Sequence, residues 1–462
     1  MKLTGFLFAA ALLGACTQPA AEENYTRHVD PKIGTGGHGH VFVGANVPFG
    51  LVQVGSTSIP QTWDWCSGYH ASDSTVIGFS HTHLSGTGIG DLFDITVMPV
   101  VGEVTYARGE ENDPASGLWS YADRTREITK PGYYSVPLVR YGITAELTAT
   151  ERVGLHRYTF PASDAAAVVF DLENGGCWDK ATDTGFRFSD DSTRIAGWRC
   201  STGWAKNQEV YFVAEFSKPA KGISYLQPGE IDDSKMPRIA ARYARVDFDT
   251  AEGEQVLVKV ALSPVSIEGA KANLAAELPG WDFDATAAAA DKAWNDELSK
   301  VKIETEDETS KRIFYTALYH TMVAPSLFCD VNGDYRGADG KVHENPGRDT
   351  YTTFSLWDTY RAAMPLMTVL HPERMPDIIQ TMLHIADEQG RLPVWHLWGN
   401  ETDCMVGNPG IVAVADAIVK GIGGFDREKA FETIRKTAMN PDRGNGLRME
   451  YGYIPCEMFN EA

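Results

Sequence analysis

The sequence predicts a multi-domain β + α protein, in which a β-sandwich is followed by an all-α domain of paired helices. Three observations predict it. Residues 24 to about 265 hold many short segments that alternate apolar and polar residues between turn residues. Near Glu268 the composition shifts to Ala, Lys and Glu. Beyond Ser310, apolar residues recur at helical spacing in segments joined by loops, without strands.

The elements follow in order. Met1-Lys2 is a short basic start, and Phe6 to Leu13 is an apolar core too short to span a bilayer. Leu13-Gly14-Ala15-Cys16 reads as a bacterial lipobox, so residues 1–16 are expected to be a lipoprotein signal peptide with Cys16 as the lipidated residue. The body is expected to be exported to the periplasm or the outer membrane and cell surface, touching membrane only through that anchor. Residues 24–267 form the sandwich. Its strands include Val136 to Tyr141, Ile143 to Ala149, Tyr158 to Phe160, Ala165 to Leu172, Val210 to Phe216 and Gln255 to Leu262, with turns at Pro131-Gly132, Gly175-Gly176 and Pro228-Gly229. Residues 268–304 are a helical linker interrupted at Pro279-Gly280. Within 305–462, helices are expected over Ser310 to Val323, through Trp357, Tyr360, Met364 and Met367, from Pro372 to near Gly390, over Gly407 to Ile422 and over Asp426 to Met439.

Composition excludes some partners. A net charge of -21 argues against nucleic acid and anionic membrane surfaces. The chain is 43% hydrophobic and 11% aromatic, enough for large cores. Seven cysteines, none in a C-x-x-C arrangement, exclude the usual structural zinc motifs. Cys177 and Cys200, close together in one β-rich stretch, are the expected disulfide pair.

Four segments concentrate residues that could carry chemistry. Trp63-Asp64-Trp65-Cys66-Ser67-Gly68-Tyr69-His70 precedes the glycine-dense run Gly78 to Asp91. Two indoles, a Tyr and three His in such loops suggest a rim that touches a ligand. His81 and His83, two apart, would share a strand face as some zinc ligands do, with His70 as a third; the alternative is that these His bond loop carbonyls. Phe328 to Gly337 resembles a calcium loop but has Lys341 where its twelfth residue should be Glu, so a loop presenting Asp330 or Asp334 to a polyol is the better reading. Asp358 and Arg361, three apart on a helix, either pair with each other or grip vicinal hydroxyls, Arg donating and Asp accepting. Asn400-Glu401-Thr402-Asp403, between Trp398 and a helix start, is a candidate pocket wall.

Together these segments resemble glycoside hydrolase family 92, the calcium-dependent exo-α-mannosidases. The strings that carry the resemblance are Gly78-Phe-Ser-His-Thr-His-Leu-Ser-Gly-Thr-Gly88, Phe354-Ser-Leu-Trp-Asp-Thr-Tyr-Arg361, Cys404-Met-Val-Gly407 and Tyr451-Gly-Tyr-Ile-Pro455. The resemblance implies a β-sandwich followed by an (α/α)6 barrel with the pocket between them, and hydrolysis with inversion by a Glu acid and an Asp base. It implies that Asp358, Arg361 and, less directly, Asp330 bind the terminal mannose. Trp65 or Trp63 would face the leaving sugar, as in members that cut α-1,2 linkages, with His70 and Glu401 as further substrate-binding candidates. It implies Ca2+ on the mannose hydroxyls. Asn408-Pro409 departs from the family's pattern after Cys-Met-Val-Gly.

The resemblance also predicts an incomplete (α/α)6 barrel, since about five helices fit between residues 305 and 462. The catalytic acid, base and most calcium ligands are expected beyond Ala462; Glu457 and Glu461 stand outside the motif that carries the acid and are not assigned. The expected function is an exo-α-mannosidase acting on N-glycans or mannans, inactive as this fragment. The alternatives are a non-catalytic glycan-binding surface lipoprotein and a zinc hydrolase built on His81 and His83.

Overall fold

The computed structural model describes residues 23–189, 192–228 and 241–459. Cys16 and Glu461 lie outside them. A sheet-rich N-terminal domain leads into a helical one.

Two antiparallel sheets face each other across one core. The seven-stranded sheet runs Gly44–Ala45, Val54–Thr57, Gly78–Ser80, Thr96–Val101, Ser163–Asp171, Ala241–Thr250, Gly222–Pro228. The eight-stranded sheet runs Lys180–Phe188, Arg194–Thr202, Gln208–Phe216, Glu254–Ser263, Val153–Phe160, Ile143–Ala149, Tyr133–Leu138, Ile128–Lys130. Phe79, Val97, Val168 and Phe170 from the first sheet meet Leu147, Tyr158 and Phe212 from the second in one buried cluster. The predicted alternation is visible in the first half of Ile143–Ala149, where Thr144 and Glu146 are less buried than Ile143, Ala145 and Leu147. The edge strand Lys180–Phe188 escaped prediction because its first half, Lys-Ala-Thr-Asp-Thr, is polar and largely solvent-facing.

The sandwich hands over to helices α1 (Ile267–Glu277) and α2 (Phe283–Leu298), each capped at its N-terminus by a side chain, Ser266 and Asp282. Beyond them come α3 (Glu308–His320), α4 (Leu356–Thr359), α5 (Ala363–Leu370), α6 (Met375–Gln389), α7 (Pro409–Val419), α8 (Arg427–Met439) and α9 (Asn445–Tyr451). The cap of α6 is Gly390 at φ +92°, as the sequence predicted.

Three expectations are corrected. The helical domain does contain strands, short ones such as Ser326–Leu327, Tyr351–Thr352, Phe354–Ser355 and Trp395–Leu397, in the connections between helices. The single helix expected through Trp357, Tyr360, Met364 and Met367 is two, α4 and α5, separated at Ala362 (φ -139°). Pro365 explains the break: it fits the first turn of a helix, where its missing N–H costs nothing, and would disrupt an interior turn. Cys177 and Cys200 are both thiols and do not pair. Cys200 lies in strand register between Asp183 and Glu209, lining a groove on the outside of the eight-stranded sheet, whereas Cys177 packs against Gly90.

The domains interlock through backbone. Phe49 N–H donates to the Met322 carbonyl (2.8 Å), Leu327 N–H to the Phe49 carbonyl (2.9 Å), and the Gln53 amide to the Val323 carbonyl (2.8 Å). Arg152 ties sandwich, linker and helical domain together, donating to Glu277 (2.8 Å) and to the Cys329 carbonyl (2.7 Å). This junction fixes the wall positions of the cleft described next.

Candidate active site

A cleft of about 280 Å³ opens where the sandwich meets the helices. Its sandwich wall is Ser85, Gly86 and Thr87; the facing wall is Phe354, Ser355, Asp358 and Thr359 from the start of α4, with Met364 of α5. His320 and Thr321 at the end of α3 close a third side, and Trp395 contributes its edge.

The glycine-rich loop has its shape for a steric reason. A Cβ on Gly88 would stand 2.5 Å from the Trp63 ring, so only glycine lets the indole lie on the loop, where Trp63 Nε1 donates to the Gly88 carbonyl at 2.7 Å. Trp63 is 52% exposed beside the cleft, a large apolar face open to a ligand. Its edge meets His40 at 4.3 Å. Trp65 is placed differently: its Nε1 donates to Asp73 (2.7 Å) and its ring stacks on His70 at 4.2 Å. His70 in turn bonds Ser72 and the Gly37 carbonyl, so it supports Trp65 from beneath and does not line the cleft.

Asp358 is exposed on the cleft wall and accepts a bond from Ser355 Oγ at 2.6 Å. Arg361 follows, exposed, with its guanidinium over the rings of Trp357 (5.0 Å) and Tyr360 (5.3 Å). The two form no ion pair; the break after α4 carries Arg361 off the face that Asp358 shares with Ser355.

The structure separates the remaining candidates from the cleft. Asp330 is buried, accepting from Ser263 Oγ and Asn273 Nδ2, both at 2.8 Å, and burial pushes its pKa up to about 6. It fastens the last sandwich strand and α1 to the helical domain, so the polyol-presenting loop expected there is a structural clamp. Glu401 accepts the N–H groups of Val394 (2.8 Å) and Trp395 (2.9 Å), which makes it the strut behind Trp395. His81 and His83 are fully buried. His81 Nδ1 donates to the Ile95 carbonyl (2.6 Å), leaving Nε2 to accept from His156 Nε2 (2.9 Å), whose Nδ1 accepts from Tyr158 (2.7 Å). His83 Nδ1 donates to the Gln53 carbonyl (2.8 Å) and Nε2 accepts from Ser80 (3.2 Å). Every ring nitrogen is engaged, and zinc there would break this network. His320, Thr321 and Trp395 were not singled out from sequence; His320 ends the amphipathic α3, and only the fold turns that end toward the cleft.

The cleft pairs aromatic edges with hydroxyls and one carboxylate, which suits a polyol whose C–H faces are apolar and whose rim donates and accepts hydrogen bonds. That is the chemistry of a carbohydrate-active protein. The comparisons narrow it: residues 28–263 match the glycosyl hydrolase family 92 N-terminal domain and residues 269–462 the glycosyl hydrolase family 92 catalytic domain. The chain belongs to glycosyl hydrolase family 92. It is similar to the family GH92 alpha-mannosidase BT3965 from Bacteroides thetaiotaomicron, solved in complex with mannoimidazole, at 37% identity and a TM-score of 0.89, covering 95% of this chain and 58% of that one. It is similar to the family GH92 inverting mannosidase BT2199 from Bacteroides thetaiotaomicron VPI-5482 at 27% identity and a TM-score of 0.81, covering 94% and 59%. An uncharacterized secreted glycosidase of Arthroderma benhamiae is 25% identical over 481 residues, 95% of this chain and 56% of that protein. The chain thus spans a little over half the length of the relatives it matches.

Calcium takes six to eight oxygen ligands, with carboxylates prominent among them, and the described lining of the cleft offers one carboxylate, Asp358. The one compact group of potential ligands among the described residues, Glu297, His371 and Glu373, already holds the Lys300 ammonium, 2.7 Å from Glu297 and 2.9 Å from Glu373. The residues described here do not fit the ion.

Proposed function

We propose that the cleft receives the terminal mannose of an α-mannoside and that the protein serves exo-hydrolysis of such glycans with inversion, α-1,2 linkages being preferred. The observation that carries this is the position of Asp358: a hydroxyl-bonded, exposed carboxylate on the wall of a cleft where sandwich and helices meet. The likeness to two mannosidases, one named as inverting, supports the sugar and the stereochemistry. Trp63, pinned to the cleft loop with its face open, is the residue for the leaving sugar; Trp65 is tied down beneath. Arg361 needs only a side-chain rotation off the Trp357 ring to donate to a hydroxyl.

Inversion requires two carboxyl groups with a water between them, roughly 6.5–9.5 Å apart. The described cleft wall offers one. The 462-residue chain is therefore expected to bind mannose without turning over an aryl α-mannoside. Titration with methyl α-mannoside and methyl α-glucoside should favour mannose, and Asp358→Ala should weaken mannose binding at least ten-fold by removing a charged hydrogen bond worth about 1.5–3 kcal/mol. Equal binding of both sugars, or an Asp358→Ala protein of unchanged affinity, would put the site elsewhere. Binding without hydrolysis is also what the glycan-binding reading requires; turnover by the chain would exclude that reading and the assignment of the reaction to other carboxylates. Calcium belongs to the proposal through the family resemblance alone.

Lipid anchoring at Cys16 is part of the same proposal. No helix of the described residues is long and apolar enough to cross a membrane. A Cys16→Ser protein should lose fatty-acid labelling and leave the membrane fraction. Unchanged labelling would refute the anchor.

A further inference from the structure

Cys66 and Cys177 lie 111 positions apart in sequence, yet the fold brings both to the glycine-rich run, Cys66 at the end of the turn whose Trp63 lies on Gly88 and Cys177 against Gly90, near enough for each thiol to shift the other's ionisation. Cys66 ends the 3₁₀ turn Trp63–Trp65 and is buried, its Sγ 2.7 Å from the Trp63 carbonyl. Cys177 sits on a strap that is laced to the glycine-rich run: Gly176 N–H donates to the Leu92 carbonyl and Trp178 N–H to the Gly90 carbonyl, both at 2.9 Å. A Cβ on Gly90 would stand 2.5 Å from Cys177 Cβ, so glycine is what lets the strap approach so closely.

We propose that Cys66 and Cys177 form an intramolecular disulfide that clamps the Trp63–Trp65 turn to the strap and so fixes the loop lining one side of the cleft. The oxidant is a disulfide of the thiol–disulfide exchange class, such as oxidised glutathione. The Cys177 thiolate attacks a sulfur of that disulfide, giving a mixed disulfide and releasing one thiolate. Cys66, deprotonated, attacks Cys177 Sγ; the Cys66–Cys177 bond forms and the second thiolate leaves. Two thiols are oxidised, one disulfide is reduced, and the two protons pass to the departing thiolates. Cys177 is suited to react first. It is partly exposed, whereas Cys66 is buried, and the neighbouring Cys66 together with the Arg108 charge holds its thiol below the ordinary range.

The clamp matters for the cleft because Trp63 is bonded to Gly88, the next residue after Thr87 of the wall. The inference does not depend on what the cleft binds, so its failure and that of the mannoside reading are separable. The test is differential alkylation and peptide mapping of the intact 462-residue chain after equilibration with oxidised glutathione. The expected result is one linked pair of peptides containing Cys66 and Cys177, a loss of two free thiols, and a fall in Tm of at least about 3 °C on reduction, as closing a long loop predicts. A Cys177→Ser protein should show no such fall. Full alkylation of Cys66 and Cys177 after oxidation, or linkage of either to another cysteine, overturns the proposal; the mapping needs no variant to fold.

Discussion

Trp63 and Trp65, two residues apart, have opposite surroundings, and this divides their roles. Trp63 stays half exposed, its N–H on Gly88 and its ring in a T-shaped contact with His40, while Trp65 is held by Asp73 at one edge and His70 on one face. Trp63→Ala should therefore weaken binding of an α-1,2-mannobiose by about 1 kcal/mol, roughly five-fold, and leave methyl α-mannoside nearly unaffected, because it would touch only the second sugar. Trp65→Ala should instead cost about 1–2 kcal/mol of stability through loss of its bond to Asp73 and its stacking on His70. Calorimetry on the two ligands and urea unfolding check both, and equal losses on the two sugars for Trp63→Ala would remove it from the second subsite. Sequence alone left Trp63 and Trp65 as alternatives, since a Trp-x-Trp string does not say which ring finds partners.

At the scale of elements, the cleft depends on short pieces more than on long helices. The pair Phe354–Ser355 is hydrogen-bonded to Trp395–Leu397, which is paired with Asn400–Glu401. Glu401 closes that small sheet by accepting the backbone N–H groups of Val394, Trp395 and Asp403 behind Trp395. Glu401→Gln keeps one acceptor oxygen and loses the other, leaving at least one N–H without a carboxylate partner. We expect about 1–3 kcal/mol of destabilisation and weaker mannose binding as Trp395 loosens; wild-type unfolding and affinity together would show that the strut is dispensable. Helix positions were largely legible: Asp426 accepts from Glu428 N–H at the start of α8, and Gly390 ends α6. The split between α4 and α5 was signalled by Pro365 and missed because the apolar spacing runs on through it.

The molecule as a whole carries its pH response in buried histidines. Burial lowers the pKa of His81 to about 4, of His83 and His396 to about 3, and of His156 well below its usual value. In the unfolded chain each would titrate near 6.5, so below that pH unfolding takes up protons and stability is lost. Five buried or partly buried carboxylates, Asp91, Asp94, Asp171, Asp330 and Asp349, are raised by burial and act in the other direction. Asp91 is raised to about 7 by burial and the charge of Asp179, and Asp330 to about 6 by burial, so each holds a proton in the folded state and favours folding as pH falls toward 4. His28, His40, His320 and His384 are lowered by burial as well, so near pH 5 the histidines that gain a proton on unfolding outnumber the carboxylates that release one, and stability falls as pH falls. Thermal melts should thus give a Tm at pH 5 that is several degrees below that at pH 7.5. A Tm that rises on acidification would mean that the carboxylates outweigh the histidines.

The sequence by itself determined the order of a sheet domain and a helical domain, most helix ends and the family, because periodicity, caps and ungapped strings are local properties of the chain. It also singled out Phe354 to Arg361 as one continuous segment, from which the structure sets Asp358 on the cleft wall. Only the tertiary structure decided which candidates meet. Asp330, His70, His81, His83 and Glu401 are all polar residues in promising strings, and each has its hydrogen bonds taken up within the fold, for all but Glu401 by at least one partner distant in sequence. Ser263 and Asn273 take Asp330, Gly37 takes His70, Ile95 and His156 take His81, and Gln53 takes His83. Burying a polar group is tolerated only when such partners exist. Whether a carboxylate is free for a ligand is therefore settled by long-range packing, as with Asp358, which has a single neighbour in Ser355 and an open cleft in front of it.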